Sequence, residues 1–273
     1  MDRRDTPFLI LLALPAVIVF SAFFLLPLAR LVMVVGEGRD GLATYAVVLT
    51  HPRYLESLVA TMVLSAGVTA VTLALCGVVG VFLTRNRFFG QRLVVAMLTL
   101  PLSFPGVVVG FMIIMLAGRQ GLIGDLTQAL TGNRLVFAYS MAGLFVAYVY
   151  FSIPRVILTV MAAAEKLDRR VEEAARSLGA STWRVTRDVI IPGLAPALVS
   201  SGAICFATAM GAFGTAFTLA TRIDVLPMVI YTEFTLNANI AVAASLSIVL
   251  GIITWVALAI ARSLAGTTVS AAA

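Results

Sequence analysis

Six uncharged, apolar runs constrain this chain more than any other feature: Phe8–Ala29, Ser57–Thr84, Leu93–Gly118, Leu135–Pro154, Val189–Thr221 and Phe234–Ala261. A helix crossing a bilayer core needs about 20 such residues, and each run reaches that length. Charged residues make up 12% of the 273 and hydrophobic ones 61%. An ordinary soluble domain carries about 25% charged residues. Too few polar groups are present to cover a globule in water, so the solvent of this chain is lipid. The expected fold is all-α: a polytopic membrane protein with six transmembrane helices in a single domain over 1–273. Runs longer than the bilayer is thick must tilt, kink or include interfacial turns, which trims the spans to about 8–29, 57–84, 93–118, 135–154, 192–221 and 240–261. The first run follows Arg3 and Arg4 like a signal peptide. It exceeds the usual apolar segment of about 7–15 residues and shows no small-residue cleavage site, which predicts a retained helix.

Charge sets the orientation. With six alternating spans and an inner N-terminus, Arg30, Arg39, Arg53, Arg119, Arg134 and Arg222 face outward, and the other 13 of the 19 basic residues face the cytosol. The positive-inside bias selects that arrangement, with both termini cytoplasmic. It also accounts for the net charge of +6 without a nucleic-acid partner, since no basic patch is interleaved with aromatics. The polar loop at 165–191 then lies in the cytosol.

Several spans are punctuated. "LPLSFPGVVVG" puts Pro101 and Pro105 inside the third predicted helix, followed by Gly106 and Gly110. Proline removes a backbone donor and kinks a helix, which membrane helices tolerate where neighbours or a cavity satisfy the freed carbonyls. The GxxxG spacing permits close helix approach and reads first as packing. "ATAMGAFGTAFTLAT" in the fifth span is rich in small residues and threonines, which suits a helix facing protein or a pore rather than lipid.

The missing chemistry narrows the function classes. One histidine, His51, supports neither a zinc site nor a histidine-based triad. Cys76 and Cys205 sit in apolar runs and read as packing residues. No cofactor or metal site is expected. GxxxxGK[ST] is absent, and the only lysine is Lys166, so no phosphate loop hydrolyses ATP here. Every acidic residue falls outside the six runs, which leaves no intramembrane proton or sodium relay. Uphill transport by such a chain needs energy from a partner and a surface on which that partner docks.

The block "EEAARSLGASTWRVTRDVIIP", residues 172–192, supplies a candidate surface. Leu167, Val171, Ala174, Ala175 and Leu178 recur at spacings of three and four, one apolar stripe on a short helix. Asp168 can cap its start. Glu172 and Glu173 near that end and Arg176 near the other suit the helix dipole. Gly179 suits a left-handed stop, Ser181 can cap a second turn carrying Trp183, and Pro192 opens the fifth span at a position where a missing N–H costs nothing. An amphipathic helix lying on lipid is the rival reading. The small face of Ala174 and Ala175, and the stop at Gly179, suit a close-fitting protein groove better.

This block resembles the EAA loop of type I ABC importer permeases, the inner-membrane subunits of binding-protein-dependent transporters. That pattern runs EAA, three residues, Gly, nine residues, then I-x-L-P. Glu173-Ala174-Ala175, Gly179 and Val189-Ile190-Ile191-Pro192 take those places. Valine and isoleucine replace the usual isoleucine and leucine, and Thr186 stands where relatives often have an aromatic. Leu167-Asp168, "SLGAS", "LPLSFPG" and the six spans resemble the family too. The resemblance implies a non-enzymatic, multi-pass subunit of a bacterial inner membrane. Its implied partners are a second permease subunit, two cytoplasmic ABC ATPase subunits and a periplasmic solute-binding protein. One permease module per chain, in a group that often uses two different ones, favours a heterodimer. By position, Glu173 would anchor the ATPase, Ala174 and Ala175 form the small face, Gly179 allow close approach, and Asp168 and Arg176 support the contact; Glu172 and Trp183 share the loop.

"GAFGTAFTLATRIDVLPMVIYTEFT" is similar to permeases of the polyamine/opine/phosphonate group, in particular spermidine/putrescine systems. This implies a polyamine-like solute. Phe213, Thr215, Phe217 and Thr218 are then candidates to line the path, with Asp224 and Glu233 near its mouth; solvated loop charge is the plainer reading of those two acids. Iron, thiamine or an aminophosphonate are alternative cargoes, and a passive channel or structural membrane protein is the rival class.

Overall fold

The computed structural model describes residues 6–38, 41–219 and 223–270. Arg3, Arg4, Arg39 and Arg222 of the charge count, and Thr221 at the end of the fifth run, lie outside the described residues. All regular structure among the described residues is helical. Six helical stretches are long and apolar enough to cross a membrane: Leu12–Glu37, Pro52–Arg85, Gly106–Thr131, Met141–Lys166, Thr182–Met210 and Ile240–Ser263.

The first rod is α1 (Thr6–Phe20), a π-turn (Ser21–Leu25) and α2 (Leu26–Glu37) in unbroken sequence. After α3 (Ala43–Thr50), α4 (Pro52–Arg85) opens on a proline, whose missing N–H is unneeded in a first turn. The third apolar run differs from the single kinked helix predicted over 93–118. α5 (Gln91–Thr99) tightens into a 3₁₀ turn (Leu100–Ser103) holding Pro101. Phe104 is then extended, as a residue before proline is disposed to be, and Pro105 caps a new helix, α6 (Gly106–Ala117). Two missing donors four residues apart break the helix where one would have bent it. α7 (Leu122–Thr131) follows across a bend at Gly118–Gly121.

The fourth run also shifts. α8 (Met141–Lys166) starts after Ser140, whose hydroxyl accepts from Gly143 N–H, and passes straight through Pro154. The span predicted to stop at Pro154 therefore carries Arg155 inside its helix. α9 (Arg169–Ser177) and α10 (Thr182–Val185) form the polar loop. A π-turn (Thr186–Ile190) joins α10 to α11 (Ile191–Met210), so the helix that carries the fifth span starts within the polar loop, at Thr182, ahead of Pro192. It ends at Met210, and its threonine-rich remainder folds separately as α12 (Gly214–Leu219). α13 (Leu226–Thr235) and α14 (Ile240–Ser270) complete the chain.

Both π-turns precede a proline. Leu26 N–H bonds to Ser21 O and Ile191 N–H to Thr186 O, and Pro27 and Pro192 follow. The widened turn ends where the missing donor falls, so the rod stays continuous instead of breaking.

The chain packs as two compact units, Met1–Leu55 with Val229–Val249 and Glu56–Met228 with Leu250–Ala273. In the first, Val35, Val48, Val242 and Leu246 are buried. In the second, Cys76 and Leu83 of α4, Val109 and Ile113 of α6, Ile157 and Val160 of α8, Cys205 of α11 and Leu219 of α12 share one core. Cys76 and Cys205 are both free and buried.

Candidate functional site

The polar loop is built almost wholly from local chemistry. Asp168 caps α9 by accepting from Arg170 N–H at 2.9 Å. At the other end Gly179 takes φ +84 with open space around it, so the requirement is for backbone conformation and not for room. Gly179 N–H reaches Arg176 O (2.9 Å) and Ala180 N–H reaches Ala175 O (3.1 Å), a Schellman stop. Ser181 then caps α10, its hydroxyl accepting from Arg184 N–H.

The faces of this loop are divided by partner. Val171, Ala174 and Leu178 of the apolar stripe are exposed, and so is Trp183; Leu178 is 89% and Trp183 70% accessible. Glu173 and Arg176 are exposed beside them. Glu172 instead points into the protein and is buried, paired with the Arg85 guanidinium at the end of α4. Leu167 packs against the core, lying so close to Gly193 that a Cβ there would meet its Cδ2 at 2.6 Å. Ala175 is half-buried against the same core. Glu172, Leu167 and Ala175 thus hold the loop to its own chain and leave the outward side open.

A second arrangement lies within the spans. Phe213, Thr215, Phe217 and Thr218 surround or form α12, which packs on α6. Thr215 is buried and its hydroxyl donates to Gly106 O at 2.9 Å; that of Thr218 donates to Gly214 O at 2.9 Å, with Val107 O at 3.3 Å. A Cβ on Gly110 would meet Thr218 Cβ at 2.6 Å, and one on Gly106 would meet Thr215 Oγ1 at 2.9 Å. The GxxxG spacing is therefore the seat of α12. Thr215 spends its hydroxyl proton on this contact, and Thr218 spends its own within α12. Phe213 and Phe217 rings lie 5.3 Å apart, Phe217 exposed and Phe213 half-buried. Asp224 is exposed, whereas Glu233 is buried, with Arg53 at 3.6 Å and a hydrogen bond from Tyr54.

Sequence reasoning missed two positions here. Arg85 is separated from Glu172 by most of the middle of the chain, and no local pattern joins them. Arg155 stands about 21 Å along α8 at 1.5 Å per residue, its guanidinium 4.9 Å from the Phe151 ring centroid. It lines a pocket of about 380 Å³ with Gly106, Val107, Thr208, Gly211 and Thr215. Arg155 has no carboxylate partner among the described residues. Its signal in the sequence was a cation directly after an apolar run, which is also how a cytosolic loop begins.

Six helices long enough to span and a capped hydrophilic loop with an exposed outward side define a polytopic membrane protein. The chain belongs to the family of binding-protein-dependent transport system inner membrane components, whose model matches residues 76–267. It is similar to the sulfate transport system permease protein CysT of Escherichia coli (strain K12), 32% identical over 89% of this chain and 88% of that one. The molybdenum transport system permease protein ModB of the same organism is 32% identical over 67% of this chain and 81% of that one. A chain of a bacterial alginate ABC transporter, solved with an alginate-bound periplasmic protein, shares the fold at TM-score 0.83 and 16% identity, covering 96% of this chain and 94% of that one. The chain is accordingly a type I ABC-importer permease, a multi-pass inner-membrane subunit. It conducts solute, performs no catalysis itself and depends on a separate ATPase.

Proposed function

We propose that this permease serves an importer of a small oxyanion, with the polar loop as its ATPase-docking element. One observation carries the solute class: Arg155, a cation inside a membrane-spanning helix, lines a pocket without a carboxylate to neutralise it. An ionisable group at such depth is costly and marks a solute path by default. Gly106 and Val107 line the same pocket, and the first N–H groups of a helix lack intrahelical acceptors and favour negative charge. Sulfate is an oxyanion, and the molybdenum carried by the other relative travels in water as one. A polyamine, the cargo first suggested by the stretch around α12 and α13, would bring positive charge beside Arg155, while Glu233 is already engaged with Arg53. Iron as a free cation and thiamine meet the same repulsion.

Reconstitution with the cognate ATPase and binding protein tests this. Labelled sulfate uptake is expected, competed by molybdate and not by spermidine. Arg155→Ala is expected to lower uptake about tenfold or more, the worth of one charged hydrogen bond, with Arg155→Lys intermediate. Uptake of spermidine, or unchanged sulfate uptake in Arg155→Ala, would overturn the oxyanion reading.

On the cytosolic side, Glu173, Arg176, Ala174 and the exposed Leu178 and Trp183 are proposed to meet the ATPase, with Asp168 and Gly179 shaping the helix and Glu172 and Ala175 seating it. Two ATPase subunits, a second and different permease subunit and a periplasmic binding protein complete the assembly. Glu173→Lys or Gly179→Asp should abolish transport while membrane insertion persists; normal ATPase pull-down by both variants would sink the docking role.

A further inference from the structure

We propose that the cytosolic mouth between the α4–α5 loop and the end of α8 binds the phosphate of an anionic phospholipid, whose acyl chains run along α5. A pocket of about 350 Å³ there is lined by Arg85, Arg87, Gln91, Arg169 and Glu165. A neighbouring one of about 530 Å³ shares Arg87 and Gln91 and adds Arg92 and Val95. Four guanidinium groups thus meet a single lining carboxylate, Glu165.

Their engagements differ. Arg85 is taken by Glu172, and Arg169 donates to Thr84 O at 3.1 Å. Arg87 and Arg92 are exposed and have no ion-pair partner among the described residues. Two arginines five residues apart, joined by Gln91, leave a concave cationic site at the level where α4 leaves the membrane. Basic pockets between spanning helices on the cytosolic side suit phospholipid headgroups.

The apolar surroundings favour a lipid over a free phosphate ion. Phe89 of the connecting loop is fully exposed and Phe88 41% exposed. Along α5, Leu93 and Met97 lie one turn apart and are each 65% exposed, with Leu100 beyond them at 51%. Leu93, Met97 and Leu100 share a face of α5 that starts about 100° round the helix from Arg92, so uncovered aliphatic side chains flank the cationic pocket at its Arg92 edge. A small anion uses only the first half of that surface, and a phospholipid uses both. The same lipid would sit beside Arg169, the first residue of α9, and so brace the root of the docking helix.

The full chain, purified in a neutral detergent, is offered equal mixed micelles of phosphatidylglycerol and phosphatidylcholine, and retained lipid is counted by native mass spectrometry. Phosphatidylglycerol should be retained in excess. Arg87→Gln and Arg92→Gln should each lower that excess about fivefold, while Arg187→Gln, an exposed cation elsewhere on the cytosolic face, leaves it unchanged. Leu93→Gln with Met97→Gln should lower it too, without any change of charge. Equal retention of the two lipids by the unmodified chain overturns the proposal, whatever the variants do. So does equal loss with Arg187→Gln, which would make the effect general electrostatics. Displacement of the lipid by millimolar inorganic phosphate assigns the site to a free anion and overturns it as well.

Discussion

Helix α4 carries an arginine–glutamate pair at each end, and the two are built differently. At its start Arg53 meets Glu233 at 3.6 Å, with the arginine side chain 45% exposed and the glutamate 5%. At its end Arg85 meets Glu172 with the side chains 14% and 11% exposed, in a direct hydrogen bond. The Arg85 Nε, also buried, has no hydrogen-bond partner among the described residues. Desolvation has been met in full at the inner end and by only one partner at the outer end. A dry pair is costly to form and more costly to break, because the survivor is left as an unpaired buried charge. At the outer end water takes over for the exposed Arg53, and Glu233 keeps its hydrogen bond from Tyr54, so opening the pair costs little. The inner pair therefore works as a fixed tie between the second span and α9, and the outer pair as a contact that can open.

The largest expected effect is on the inner tie. Arg85→Ala should destabilise the detergent-solubilised chain by about 4 kcal/mol, read as thermal unfolding, and should free α9 to proteolysis first. Arg53→Ala should cost about 1 kcal/mol in the same assay; equal losses for the two variants would break the comparison. Double-mutant cycles sharpen it, with a coupling of about 2 kcal/mol for Arg85–Glu172 and under about 1 kcal/mol for Arg53–Glu233. The smallest effect is that of salt. Raising ionic strength to about 1 M shrinks the Debye length to about 3 Å and should erase the Arg53→Ala penalty while leaving that of Arg85→Ala in place.

What could be read from residues alone followed the range of the interaction. The shape of the polar loop was legible because its parts are neighbours: Asp168 caps two residues on, and Gly179 stops the helix that ends at Ser177. The all-α, six-span character was legible because burial in lipid demands long apolar runs whatever the tertiary packing. Span limits were not, since uncharged residues compose both a helix and the turn that ends it; Leu135 to Ser140 and Gly211 to Phe213 are apolar or small yet precede or break helices. Pro154 misled in the opposite direction, because a proline beside an arginine looks like an exit and here lies buried in mid-helix. The Arg85–Glu172 tie, the seat of α12 on Gly106 and Gly110, and the pocket around Arg155 depend on contacts between distant segments. A partner can be named for such residues only once the helices are packed.

The π-turn before Pro192 has a consequence for anyone comparing this loop with others by helical wheel. Each residue turns an α-helix by about 100°, and a π-turn accommodates one more residue than an α-turn does. Positions upstream of Thr186, Trp183 among them, are thus out of phase by about that angle with the face counted back from α11. Removing one residue between Thr186 and Ile190 would restore phase and swing the whole cytosolic end around the helix axis. The extra residue is a setting of azimuth: it decides which way the polar loop faces, independently of what the loop is made of.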